Sequence, residues 1–218
     1  MARGDVSFIF ELDGTLVDSV MAWQEGLQAE QIDISTCRIH RRIGMSGGLA
    51  AGMLLREVEV PISAALLDRL QARHSEVYAG LVRWVRPLPG ALRLLEHLRR
   101  TEIPWAVATS GNMDVARHNL ELLGIEPKRI SVITRQDVKR ANPDPDLFLY
   151  AAERLHLDIT SAVIIGDSIR VMLAARRARG LSVGVLCQDE LEWNVRGRSA
   201  CTRIPRICCA TDEVGGRT

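Results

Sequence analysis

Glu11 and Asp13 are two carboxylates separated by one residue, following a short apolar run that ends at Phe10 and leading into a Gly14-Thr15 turn. Side chains alternate along a strand, so both acids leave its C-terminal end on the same side. Such a pair can hold a hard cation, or divide nucleophilic attack and proton transfer between its members. Three other segments present reactive side chains just past an apolar run. Ala106-Val107-Ala108 ends in Thr109-Ser110-Gly111-Asn112, hydroxyls and backbone amides at a helix start, where an oxyanion can be held. The same turn could also serve simply as a helix cap. Asn142 precedes Pro143-Asp144-Pro145-Asp146, with Lys139 three residues before it. Val163-Ile164-Ile165 delivers Gly166-Asp167-Ser168, whose carboxylate suits Mg²⁺.

Apolar runs at Ser7–Phe10, Trp105–Thr109, Ile130–Ile133, Ala162–Ile165 and Val183–Leu186 read as buried parallel strands. Helical spacing lies between them. Leu92, Leu95 and Leu98 follow Pro89-Gly90; Val115, Leu120 and Leu123 precede Gly124; Phe148, Ala152 and Leu155 follow Pro143–Pro145. This alternation predicts an α/β fold with a doubly wound parallel sheet, whose ligands gather at the C-terminal ends of the strands. The stretch from Val20 to Val85 breaks the pattern. It shows no strand, and Leu66, Leu67, Leu70, Val77 and Leu81 mark a long amphipathic helix. The expected organisation is a core of residues 1–19 and 86–218 with a small all-helical cap, 20–85, inserted after the first strand. The cap contains a flexible turn, Ile43-Gly44-Met45-Ser46-Gly47-Gly48, preceded by His40, Arg41 and Arg42.

In their order and spacing, the four segments resemble the motifs of the haloacid dehalogenase superfamily, over nearly the whole length from Phe8 to Leu186. The position of the insertion resembles the helical-cap subgroup that includes phosphoglycolate phosphatases and β-phosphoglucomutase-like proteins. In this family the first acid attacks phosphorus and binds Mg²⁺, and the second is the general acid/base. The resemblance implies a Rossmann-like core with Glu11 and Asp13 as catalytic residues. It assigns Gly14, Thr109, Ser110 and Asn142 to phosphate, and Glu11, Asp13 and Asp167 to Mg²⁺. It also implies that the cap closes over the site and selects a small phosphorylated metabolite. Three positions depart from the family pattern. Glu11 stands for the nucleophilic aspartate, Asn142 for the third motif's lysine, and Val171 for the second aspartate of the fourth motif. Lys139 is the candidate substitute for the missing lysine.

Composition agrees with a globular chain of 218 residues, 47% hydrophobic and 25% charged, with a net charge of +1. That balance offers no electrostatic case for nucleic acid or an anionic membrane. The expectation is a cytoplasmic monomer or weak dimer. Cys37, Cys187, Cys201, Cys208 and Cys209 form no C-x-x-C pair and read as free thiols. His74, His97, His118 and His156 read as helix-borne surface or packing residues, and Arg176, Arg177 and Arg179 as solvated charge.

Beyond Trp193 the pattern lapses, and residues 199–210 show neither a helical nor a strand period. Lys128 and Lys139 are the only lysines among 28 basic residues, a bias that suggests GC-rich codons. Back-translated with such codons and read one base earlier, residues 194–210 yield an apolar strand, a turn and an Asp-Pro helix start. Three functional readings follow: a phosphatase impaired by Glu11, Asn142 and Val171, a catalytically inactive binder of a phospho-ligand or partner, and a decayed or frameshifted copy of an active phosphatase.

Overall fold

The computed structural model describes residues 6–19, 25, 27–34, 52, 53, 55, 56, 61–81, 85–186 and 206–209. In chain order the elements begin with strands β1 (Ser7–Phe10) and β2 (Val17–Asp18) and helix α1 (Ala64–Leu81). Strand β3 (Arg86–Pro87), helix α2 (Ala91–Arg100), strand β4 (Trp105–Ala108) and helix α3 (Met113–Leu122) follow. Then come β5 (Ser131–Ile133), α4 (Asp146–Arg154), β6 (Ala162–Gly166), α5 (Ile169–Ala178), β7 (Leu181–Leu186) and β8 (Arg206–Cys209).

The main sheet has the order β5-β4-β1-β6-β7-β8, its first five strands parallel and β8 antiparallel to β7. Alternate residues of each central strand enter opposite cores. Phe10, Trp105 and Val107 join Leu95, Leu98, Ala116 and Leu120 from α2 and α3 on one face. Ile9, Ala106, Ala108 and Ile164 join Phe148, Ala151, Val171 and Ala174 from α4 and α5 on the other. Covering both faces is what makes the strands read as unbroken apolar runs. The expected α/β doubly wound parallel sheet is therefore present.

Chain connections leave β1 toward β4 and leave β6 toward β7, although β1 and β6 are neighbours. Such a reversal of direction opens a crevice beyond the strand ends. The loops after β1 and β6 are the ones that carry Glu11, Asp13 and Asp167.

Local chemistry moves several boundaries. Ile130 stays out of β5 because its N–H is held by Glu126 O at 3.0 Å. Leu181 begins β7 two residues early by pairing with Val163. Leu92 is exposed, and α2 buries Ala91, Leu95 and Leu98 instead. His156 lies just beyond α4, in a left-handed conformation. Arg177 is more than solvated charge, since its Nη1 donates to Pro143 O at 2.8 Å.

The long helix expected in the insertion is α1, with Leu70 and Tyr78 buried. β2 and β3 pair antiparallel, Asp18 opposite Arg86, so the two ends of the stretch 20–85 meet in one small ribbon. The glycine turn at 43–48 and His40, Arg41 and Arg42 lie outside the described residues. So does most of the irregular tail, but Arg206–Cys209 corrects the expectation that it holds no strand. β7 offers an open edge of backbone donors and acceptors, and a ladder on that edge needs no side-chain alternation. Among the described residues no helix is long and apolar enough to cross a membrane.

Candidate active site

A tight turn aims the first two acids. Leu12 O accepts from the N–H groups of Thr15, Leu16 and Val17, and Gly14 N donates to Val17 O at 2.8 Å. Glu11 continues the β1 ladder, its N–H on Ile165 O at 2.9 Å, which fixes where the side chain departs. Gly14 has φ +75, and a Cβ built there would lie 2.1 Å from Asp167 Oδ2. Glycine at this position lets the loop after β1 close against the carboxylate delivered by β6.

Glu11 is 1% exposed, while Asp13 and Asp167 are half-buried. Burial raises the Glu11 carboxyl well above the usual carboxylate range, and the charges of Asp13 and Asp167 raise it further. Burial also pushes Asp167 up, to about 7, against hydrogen bonds from its own N–H and from Thr15. Asp13 is raised by burial, opposed by hydrogen bonds from Ser19, Thr109 and Asn119. Asp13 and Asp167 oppose the ionisation of Glu11, and Asp13 opposes that of Asp167, so the site is short of positive charge.

Asn142 is also 1% exposed. Its Nδ2 donates to Glu11 Oε2 at 3.0 Å, so the amide reaches the expected nucleophile position, as the third-motif spacing implied. Its Oδ1 has no hydrogen-bond partner among the described residues, and neither does Asp167 Oδ2. Lys139 is exposed and does not take the missing lysine's place. Thr109 is fully buried at the end of β4. Its hydroxyl accepts from Gly111 N at 3.0 Å and has one proton to share between the carboxylates of Glu11 and Asp13. Ser110 is buried beside it.

Val171, the third departure from the family pattern, turns its side chain into the core. It is fully buried within the apolar core on the α4/α5 face, and a Cβ on Gly166 would lie 2.5 Å from its Cγ1. Its link to the site is its backbone N–H, which donates to Ser168 Oγ and caps α5.

The orphaned, buried Asp167 Oδ2 and the mutual repulsion of the acids fit a hard divalent cation. Glu11 and Asp167 have the carboxylates for it. Asp13 has turned elsewhere, its Oδ1 accepting from Ser19 Oγ at 2.6 Å and Asn119 Nδ2 at 3.0 Å. Among the described residues, no three His, Cys, Asp or Glu side chains converge closely enough to hold an ion by themselves.

Ser19, Asn119 and Tyr78 were not apparent in the sequence. Tyr78 Oη donates to Asn119 Oδ1 at 2.5 Å. The available signal was a polar side chain on a buried stripe: Asn119 sits between Ala116 and Leu120, both 1% exposed.

A family model described as a haloacid dehalogenase-like hydrolase matches residues 8–185. Hexitol phosphatase A of Escherichia coli (strain K12) is 33% identical over 172 residues, 74% of this chain and 74% of that protein. A phosphoglycolate phosphatase of Agrobacterium fabrum is 30% identical over 185 residues, 81% of this chain and 78% of its own length. A hydrolase from Pseudomonas syringae superposes with a TM-score of 0.76 at 45% identity, covering 82% of this chain and 84% of the other. β-Phosphoglucomutase from Clostridium difficile does so with a TM-score of 0.71 at 25% identity, covering 87% of each chain.

Proposed function

This chain belongs to the haloacid dehalogenase-like hydrolases, and from that premise we propose that it is a Mg²⁺-dependent phosphatase of small phosphorylated metabolites whose turnover is held low by Glu11 and Asn142. The observation that carries the reading is the gathering of Glu11, Asp13, Thr109 and Asp167 at the crevice where the sheet reverses direction. The phosphatase names of its relatives support the substrate class. Residues 1–19 and 86–218 form the core in this reading, and 20–85 form a cap whose two ends meet at the β2/β3 ribbon. A cytoplasmic setting is part of this reading, the five cysteines of the sequence forming no C-x-x-C pair.

In the proposed reaction a Glu11 carboxylate oxygen bonds to phosphorus as the ester P–O bond breaks. Asp13 gives its proton to the departing alkoxide. Water then attacks the phosphoryl group on Glu11 while Asp13 takes its proton, which releases phosphate and restores both acids. The Thr109 hydroxyl and the turn at Ser110 steady the phosphoryl oxygens; the Gly14 N–H is already committed to Val17 O at 2.8 Å. Glu11 and Asp167 would hold Mg²⁺, which when bound supplies the positive charge that lets the buried acids ionise together and offsets charge on phosphate.

The same geometry supports slow turnover. Glutamate extends the nucleophile by about 1.5 Å, and a misplacement near 1 Å can cost about 10²-fold in rate. Asn142 gives Glu11 a neutral N–H where the family has a lysine, and loss of one charge-stabilising donor removes about 10²–10³-fold. Measuring Mg²⁺-dependent hydrolysis of a panel of sugar, glycolate and polyol phosphates tests the reading. Slow release from one ester class, abolished by Asp13→Ala, supports it, and turnover insensitive to Asp13 refutes it.

A second reading, binding without turnover, draws on the Glu11–Asn142 hydrogen bond, which already satisfies the nucleophile position. Saturable binding of inorganic phosphate with no turnover of any ester would favour it. The reading of a frameshifted copy rests on the tail, and clean gene traces in the present frame through codons 193–211 would end it.

A further inference from the structure

We propose that Tyr78 and Asn119 are positioning residues that tie α1, the long helix of the inserted segment, to the carboxylate of Asp13. The inference rests on the assignment of Asp13 as the proton-transfer residue. Its basis is a continuous run of hydrogen bonds through three segments distant in sequence. Tyr78 Oη donates to Asn119 Oδ1 at 2.5 Å, and Asn119 Nδ2 donates to Asp13 Oδ1 at 3.0 Å.

Burial makes this run more than an incidental contact. Asn119 is 0% exposed and Tyr78 5%. The surroundings are apolar: Ala116, Leu120 and Leu123 line the same side of the core as Leu16 and Val17. An amide placed there is unfavourable unless both its ends are bonded. The phenol satisfies its oxygen and Asp13 accepts from its nitrogen, so each link is the condition for the next.

The direction of the run also matters. An amide oxygen accepts from the hydroxyl, which leaves only an N–H to face Asp13. Asn119 therefore offers Asp13 a donor and never a competing acceptor. With Ser19 Oγ at 2.6 Å, two donors converge on Oδ1. Oδ2 is left toward the turn after β4, where a Cβ on Gly111 would lie 3.8 Å from it. The arrangement thus selects Oδ2 as the atom presented to the substrate. It also makes that presentation depend on where α1 sits. Tyr78 is raised in pKa by burial and secondarily by the Asp13 charge, so the phenol lies within electrostatic reach of the acid.

The test is a double-mutant cycle in chemical unfolding of the full chain: wild type, Tyr78→Phe, Asp13→Ala and the double variant. The proposal expects the unfolding constants to depart from multiplicativity by about threefold or more, since networked residues couple and independent ones do not. Multiplicative behaviour within about twofold overturns it. A second arm compares 4-nitrophenyl phosphate, which leaves without help, with glycerol phosphate, whose alkoxide needs a proton. Tyr78→Phe should lower kcat/KM, which reports the transfer to Glu11 alone, at least about fivefold more for the alkyl ester than for the aryl ester, the range of a lost hydrogen bond. Equal slowing of both esters overturns the positioning role. If neither ester is turned over, the phosphatase reading fails, and the unfolding cycle still decides the tie between α1 and Asp13.

Discussion

Shortening Glu11 to aspartate breaks a hydrogen bond before it restores any chemistry. Glu11 Oε2 lies 3.0 Å from Asn142 Nδ2. Removing one methylene withdraws the carboxylate by about 1.5 Å, well past the ~3.2 Å limit of an N–H···O bond. Asn142 is 1% exposed and its Oδ1 already lacks a partner among the described residues. Glu11→Asp therefore leaves the whole amide unsatisfied, a loss of about 1–3 kcal/mol. For a chain of this size each kcal/mol lowers Tm by about 2–4 °C, so a fall of about 2–12 °C is expected in metal-free buffer. Adding Asn142→Lys supplies a longer donor with a positive charge opposite the shortened acid. The double variant should regain most of the lost Tm and hydrolyse phosphate esters at least about 10²-fold faster than the parent. Thermal unfolding followed by circular dichroism, alongside phosphate release, measures both effects. A Glu11→Asp protein that melts within about 1 °C of the parent would show that the Glu11–Asn142 bond carries no stability and refute the reasoning.

Gly14→Ala should destabilise the chain by about 2 kcal/mol or more, because a Cβ meets Asp167 Oδ2 at a position with φ +75; an unchanged midpoint in urea would contradict the packing. Asp167 has its folded pKa raised from 3.8 to about 7. Between those values the native chain keeps a proton that the unfolded chain has released, so stability falls as pH rises through the interval. Asp167→Asn should flatten that slope in metal-free unfolding, and an identical slope in the variant would sink the assignment. Val171→Asp should cost about 3–5 kcal/mol and restore no activity, since it buries a carboxylate in the apolar core against Gly166; a stable and more active variant would contradict this.

The fold was legible because both faces of the sheet are covered, which writes strands as short apolar runs and helices as spaced leucines. Acids following β1 and β6 could be assigned to one edge, since the end of a strand fixes where the next side chain goes. Asn142 could be placed by its motif, but its bond to Glu11 is a contact 131 residues apart, which no local pattern contains. The same holds for Asn119 and Tyr78, whose polar atoms matter only through their partners. Val171 shows the opposite limit. Its motif position suggested the metal region, whereas its side chain followed the ordinary preference of valine for the apolar core. The strand Arg206–Cys209 escaped notice because backbone pairing on an open edge leaves little periodicity in the sequence.

The central claim is that an intact phosphatase site is held back by the Glu11–Asn142 pair. Its most direct test is Mg²⁺-dependent release of phosphate from 4-nitrophenyl phosphate by the parent chain, the Glu11→Asp/Asn142→Lys variant, and that variant carrying Asp13→Ala. The account predicts slow release by the parent, a rise of at least about 10²-fold in the double variant, and loss of that rise without Asp13. A parent as fast as the double variant, or a double variant indifferent to Asp13, would contradict it.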